Sequence, residues 1–181
     1  ADFKLPDDTT VHIRPMDDSS LPPASVPGST AREVIWGVAD QATLEAIGTE
    51  LSRDREVTTD GEGGLHSADD LGYRLGFKIS ARKPKAASLP ATNTVWSAPR
   101  IDKRAEVFTR PGVRQQRMFH VVYWGPGDTE SHACFYLDRL GFQLTESVEG
   151  IGFFMRCGGS HDHHNLFLES TDGSPVGPFG G

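Results

Sequence analysis

The sequence predicts an α+β chain built from repeated βαβββ modules. Two observations carry this expectation: a strand, helix and three strands can be read in that order over residues 118–169, and the same order can be read over residues 32–80. In the later copy the last three strands follow one another with no room for another helix. Duplication of a small unit that cannot bury its apolar face alone is a recurrent way of building a domain.

From the N-terminus, Phe3 to Arg14 reads as two short strands joined by a Pro6-Asp7-Asp8 turn. Asp17 to Thr30, rich in Ser, Pro and Asp, reads as a surface connection. The first module then starts with a strand over Arg32–Val38. Asp40 is a suitable N-cap, and Leu44, Ile47 and Leu51 mark one helix face. Arg55–Thr59 and Tyr73–Ile79 read as strands, separated by an Asp60–Gly64 turn and an ambiguous stretch around Leu65-His66. Residues 82–116 form a basic, Pro-containing linker that includes Lys83, Lys85, Arg100, Lys103, Arg104, Arg110 and Arg114, and they are expected to be extended and solvated.

The second module is the clearer one. Phe119–Trp124 is a β-rich run bounded by Gly125-Pro126-Gly127. Ala133, Phe135, Tyr136, Leu137 and Leu140 recur at helical spacing, with Asp128 or Thr129 as N-cap and Gly141 as the stop. Strands are then predicted over Phe142–Ser147, Gly152–Cys157 and His164–Leu168, separated by the turn sequences Glu149-Gly150 and Gly158-Gly159-Ser160. The Gly- and Pro-rich tail, 171–181, is expected to be flexible.

Composition bounds the function. A chain of 181 residues with 36% hydrophobic content can build one sizeable core or two small ones. The net charge of −7 argues against a nucleic-acid partner. No run reaches the length of a membrane span, and the protein is expected to be soluble and cytoplasmic. Cys134 and Cys157 lack CxxC spacing and are expected to be reduced and packed. The chain begins without Met, as a processed or partial chain does.

The order FHVVYWG, FYLDRLGF, GFFMRC and DHHNLFLE resembles a module of the vicinal oxygen chelate superfamily, which includes glyoxalases, bleomycin-resistance proteins and type I extradiol dioxygenases. The resemblance implies curved, partly closed mixed sheets and a metal-binding histidine at the start of the first and fourth strands of a module. Carried onto this chain, the ligands are His120 and His164, binding Fe(II) or, alternatively, Mn(II). A glutamate from a following module normally completes the set and leaves positions for catechol and dioxygen. The implied partners are thus a small aromatic diol and dioxygen.

On this resemblance, residues 1–81 are the end of one module followed by a degenerate, metal-free one, and residues 117–170 are the metal-binding module. The position matching His120 falls near Glu33 or Val34 in the first copy, and Gly76 lies near the place of a metal glutamate. An acid–base histidine is expected on the third strand of the metal-binding module, where Arg156 stands instead. His161 and His163 are the substitutes considered for that role.

The residues themselves leave plainer readings open. A lone His at the start of an apolar strand is commonly a hydrogen-bonded core or edge residue, and His161-Asp162-His163 also suits a polar loop. Strand alternation places His164 on the face of Leu166 and Leu168, with His163 and Asn165 opposite. It also turns Glu169 away from His164. The open edge and exposed face of one module predict pairing with another, within the chain or in a homo-oligomer. Besides a dioxygenase, the same fold suits a non-catalytic small-molecule binding protein of the bleomycin-resistance type, or a glyoxalase-like isomerase or lyase.

Overall fold

The computed structural model describes residues 1–24, 28–80, 93–102 and 115–172. They fall into two compact units, one drawn from Ala1–Ile13 and Arg82–Met118, the other from Arg14–Ala81 and Phe119–Gly181.

In the first unit, β1 (Asp2–Lys4) and β2 (Thr10–His12) pair antiparallel. Asp7 organises the turn between them, accepting hydrogen bonds from the Thr9 backbone N–H (3.0 Å) and hydroxyl (2.6 Å). Such an Asx turn satisfies backbone groups that a short hairpin leaves unpaired. A second small turn, Thr94 to Ser97, is closed by the Asn93 amide, which both donates to and accepts from the Arg100 backbone. The expected linker falls mostly on residues 81–92 and 103–114, which lie outside the described residues, as does 173–181 of the expected tail.

The second unit holds both repeats. The first comprises β3 (Val34–Val38), α1 (Gln41–Leu51), β4 (Thr58–Thr59), β5 (Leu65–Ala68) and β6 (Arg74–Ile79). The second comprises β7 (Val121–Gly125), α2 (Thr129–Cys134), β8 (Gln143–Val148), β9 (Gly152–Arg156) and β10 (Leu166–Ser170). Each repeat forms an open four-stranded mixed sheet, ordered β3-β6-β5-β4 and β7-β10-β9-β8. In each, the first strand runs parallel to the fourth.

Local chemistry sets the element ends. Asp40 caps α1 by accepting from the Thr43 N–H at 2.8 Å, and Asp128 caps α2 through Glu130 and Ser131. After Cys134 the helix widens into a π-helical turn, Phe135–Arg139. An α-helix sets neighbouring side chains about 100° apart. The wider turn accompanies the burial of two consecutive aromatics, with Phe135 3% and Tyr136 1% exposed. Gly141, at φ +71°, then ends it.

One core serves both repeats. Leu51, Leu75, Met155, Leu166 and Leu168 are completely buried, and each such side chain stabilises the fold by roughly 1.5–3 kcal/mol. Trp36 meets Phe142 edge-on, and Arg139 reaches Glu50 and Asp54 of the first repeat. Tyr73 stacks on Tyr123 at 4.2 Å, and its hydroxyl donates to the Trp124 carbonyl while accepting from the Trp124 N–H.

Three expectations need correction. The ambiguous stretch at Leu65-His66 is a full strand, whereas Arg55–Thr59 contributes only Thr58 and Thr59, because the Arg55 guanidinium is held by Asp54, Asp70 and the Ala68 carbonyl. Cys134 is free but exposed rather than packed, on the outer side of a helix whose Ala133 is buried. The fourth strand of the second repeat starts at Leu166, not His164, because Asn165 bends the chain. Its side chain accepts from the Cys157 N–H and donates to Asp162 and the Phe119 carbonyl. No helix among the described residues is long and apolar enough to cross a membrane.

Candidate functional site

The bend at Asn165 decides where the histidines point. With Asn165 and Leu166 both buried, alternation is broken, and His164 is released from the face of Leu166 and Leu168. Its ring instead lies 5.0 Å from Phe154, which stacks on Phe167 at 4.1 Å. His164 therefore belongs to the sheet face opposite the core.

That face is laid out by strand register. Glu146 on β8 pairs with Phe154 on β9, Phe154 with Phe167 on β10, and Phe167 with Val122 on β7. Four positions thus share one row across the sheet, with two stacked phenylalanines at its centre. Where β7 and β10 begin, Phe119, His120, His163 and His164 gather. The His120 and His164 rings are 4.7 Å apart and tilted by 48°, and Phe119 meets both edge-on. His163 sets its Nδ1 3.1 Å from that of His164 and its Nε2 3.3 Å from Glu146 Oε2.

Burial, and then the neighbouring His120 and His163 rings, hold His164 below the ordinary imidazole value despite the opposing field of Asp162. Its neutral form, the one able to donate a lone pair, dominates at neutral pH.

Of the residues expected at the site, His120, His163 and His164 are together, and His161 is exposed outside this set of ring contacts. Arg156 donates to the Ser160 carbonyl and so braces the loop that carries the histidines. Phe119, Glu146, Phe154 and Phe167 were not singled out from the sequence. Glu146 is hard to find because a bulge between Leu144 and Glu146 shifts the β8–β9 register.

The first repeat carries different chemistry at the matching places. Val34 pairs with Leu75 as Val121 pairs with Leu166, so Glu33 corresponds to His120 and Tyr73 to His164. Glu33 is bonded to His66 Nδ1 at 2.8 Å, and His66 Nε2 to Asp60 at 3.0 Å.

No protein-family model matches the chain, and no curated protein sequence matches it. Solved structures do. The halotolerant catechol dioxygenase BphC superposes with a TM-score of 0.51 at 16% identity, over 76% of this chain and 45% of that one. The 2,2',3-trihydroxybiphenyl 1,2-dioxygenase from dibenzofuran-degrading Sphingomonas wittichii strain RW1 gives 0.50 at 18% identity, over 76% and 46%. A Mn(II)-bound glyoxalase from Novosphingobium aromaticivorans gives 0.49 at 16%, over 76% and 42%. The likeness is one of fold: the chain has the repeated βαβββ fold of the vicinal oxygen chelate superfamily. It spans less than half the length of these three structures.

The paired histidines raise the question of a metal. Two adjacent imidazoles, one of them held neutral, suit a divalent transition metal in kind. In number they fall short, since among the described residues no three His, Cys, Asp or Glu side chains are gathered to hold an ion.

Proposed function

We propose that the chain is part of an Fe(II)-dependent extradiol ring-cleavage dioxygenase of a catechol-type aromatic, with Mn(II) as the alternative metal. The observation that supports this reading is the convergence of His120 and His164 beside the stacked Phe154–Phe167 pair. His120 and His164 would hold the metal, and a carboxylate from a further module or a partner subunit would complete the set.

When bound, the iron supplies Lewis acidity and open positions for a diol and dioxygen. The chain's own groups do the rest. Phe119, Phe154 and Phe167 give an aromatic ring an apolar surface and exclude water from one side of it. His163, beside His164, is the group proposed to carry a proton from a diol hydroxyl, and His161 in the same loop is the second.

A second reading is a non-catalytic small-molecule binding protein of the bleomycin-resistance type, or a glyoxalase-like isomerase or lyase. It draws on the two-imidazole donor set, which is incomplete for oxygen chemistry.

Metal content of anaerobically purified protein separates these readings. Near-stoichiometric iron or manganese in the parent, lost in both His120→Ala and His164→Ala, is the expected result, followed by yellow ring-cleavage products from catechols. A parent that refuses added Fe(II) overturns the dioxygenase reading for this chain and puts the binding module first.

A further inference from the structure

We infer that the substrate is a catechol carrying a short cationic side chain, with Glu169 as the specificity-determining residue that receives its ammonium group. The inference deepens the proposed function and rests on the aromatic site described there.

The bend at Asn165 that turns His164 out of the core face brings it onto the face that Glu169 shares. Along β10, Leu166, Leu168 and Ser170 are buried, and Phe167 and Glu169 alternate with them toward the opposite side. Phe167 pairs with Phe154 and Val122, and Glu169 pairs with Gly152 and Trp124. The open face thus has His120 and His164 where the strands begin, the stacked Phe154–Phe167 pair in the middle, and Glu169 with Trp124 beyond it. Trp124 stands four residues past His120, and the rise of a strand makes that roughly 13 Å along β7. Such a separation keeps Glu169 out of a ligand set that includes His120 and His164. It suits an occupant with two ends. A ring held over the two phenylalanines has its diol at the histidines, and a short alkyl chain carries its substituent to Glu169.

The far end offers what a cation needs. The Glu169 carboxylate is half-buried and has no hydrogen-bond or ion-pair partner among the described residues. An unpaired carboxylate in that position is unfavourable, and an ammonium group supplies both the charge and the donors it lacks. Gly152 puts no side chain on one flank, and Trp124 on the other brings an indole, the ring that attracts cations most strongly. Glu146, opposite Phe154, adds a second negative charge to this face. Arg156 alternates onto the face as well, but at the histidine end, where it donates to the Ser160 carbonyl at 3.3 Å. An anionic substituent at the Glu169 end would meet like charge.

Calorimetric titration of the chelator-treated protein with tyramine, tyrosol and para-hydroxyphenylpropionate tests this, because the three place a cation, a neutral hydroxyl and a carboxylate on the same phenol and alkyl chain. Tyramine should bind about 5-fold more tightly than tyrosol, and para-hydroxyphenylpropionate most weakly. Glu169→Gln should abolish the preference for tyramine and leave tyrosol affinity unchanged, which also shows that the variant folds. Equal affinities in the parent, a preference that survives Glu169→Gln, or no binding of any of the three would overturn the inference. Anaerobic uptake of Fe(II) by the same parent separates this claim from the dioxygenase reading. A parent that prefers tyramine but takes up no iron sinks that reading and leaves a site for an arylalkylammonium ion standing. One that takes up iron and opens neutral catechols without preferring tyramine does the reverse.

Discussion

Tyr136 donates a 2.6 Å hydrogen bond to Asp69, and the two residues belong to different repeats. Both are buried, with Asp69 7% exposed. The Asp69 carboxylate also accepts from the backbone N–H groups of Leu71 and Tyr73, so one side chain shapes a turn in the first repeat and anchors the helix of the second.

Removing that hydroxyl leaves a buried carboxylate short of a donor. Tyr136→Phe is expected to cost about 1–3 kcal/mol of unfolding free energy, read from urea denaturation. A loss below about 0.5 kcal/mol would mean that water replaces the hydroxyl without strain.

Asp69 also has a pH signature. Burial raises its carboxyl above the ordinary 3.8, and the three hydrogen bonds only partly oppose this. A raised carboxyl favours folding while protonated. That contribution is complete below 3.8 and is lost as pH climbs through the folded value. Asp69→Asn, always neutral, should therefore gain on the parent as pH rises across this interval. Parallel curves of stability against pH would rule out the raised value.

His66 shows the opposite pairing of groups. Burial disfavours its charge, but hydrogen bonds to Glu33 and Asp60 outweigh burial and raise it above 6.5. Asp60, bonded first to His66 and then to backbone N–H groups, falls to about 2. The His66 contribution is complete below 6.5 and is lost as pH rises through the higher folded value. The Asp60 contribution is present above 3.8 and is lost as pH falls through about 2. His66→Gln should accordingly be most destabilising between about pH 4 and 6.5 and approach the parent in alkali, as thermal melts across pH would reveal.

Tyr123 gives a prediction of the reverse sign. Its hydroxyl is buried and has no hydrogen-bond partner among the described residues, and burial drives its ionisation well above the ordinary range. Tyr123→Phe keeps the stack on Tyr73 and removes an unsatisfied polar atom, so stability should rise by up to about 1 kcal/mol. A fall of that size in calorimetry would reveal a bound water.

Gly152 admits no side chain. At φ +151°, an added Cβ would lie 2.0 Å from the Leu168 carbonyl oxygen. Gly152→Ala should cost about 3 kcal/mol or more through forced separation of β9 and β10. Near-parental stability would mean that the two strands part easily there.

Much of this architecture could be read from one-dimensional pattern. Asp40, Asp128 and Gly141 mark helix ends by local chemistry, and the short apolar runs at Gly152–Arg156 and Leu166 mark strands, so the repeat was legible. The candidate site was legible only in part. His120 and His164 stand out as residue types at strand starts, but the face that His164 takes depends on Asn165, whose hydrogen bonds reach Cys157 and Phe119. Alternation cannot register a bend made by such long-range bonds. The same holds for Glu146, whose place follows from one extra residue in a hairpin, and for β5, which is defined by its partners rather than by its own short sequence.

The Tyr73 hydroxyl occupies both backbone groups of Trp124 on the outer side of β7. A phenol thus stands in for one rung of a missing neighbour strand. An edge left open there would be a template for another chain's backbone. One of the bonds that join the two repeats thus also occupies a rung of that open edge, and Tyr73→Phe would free it.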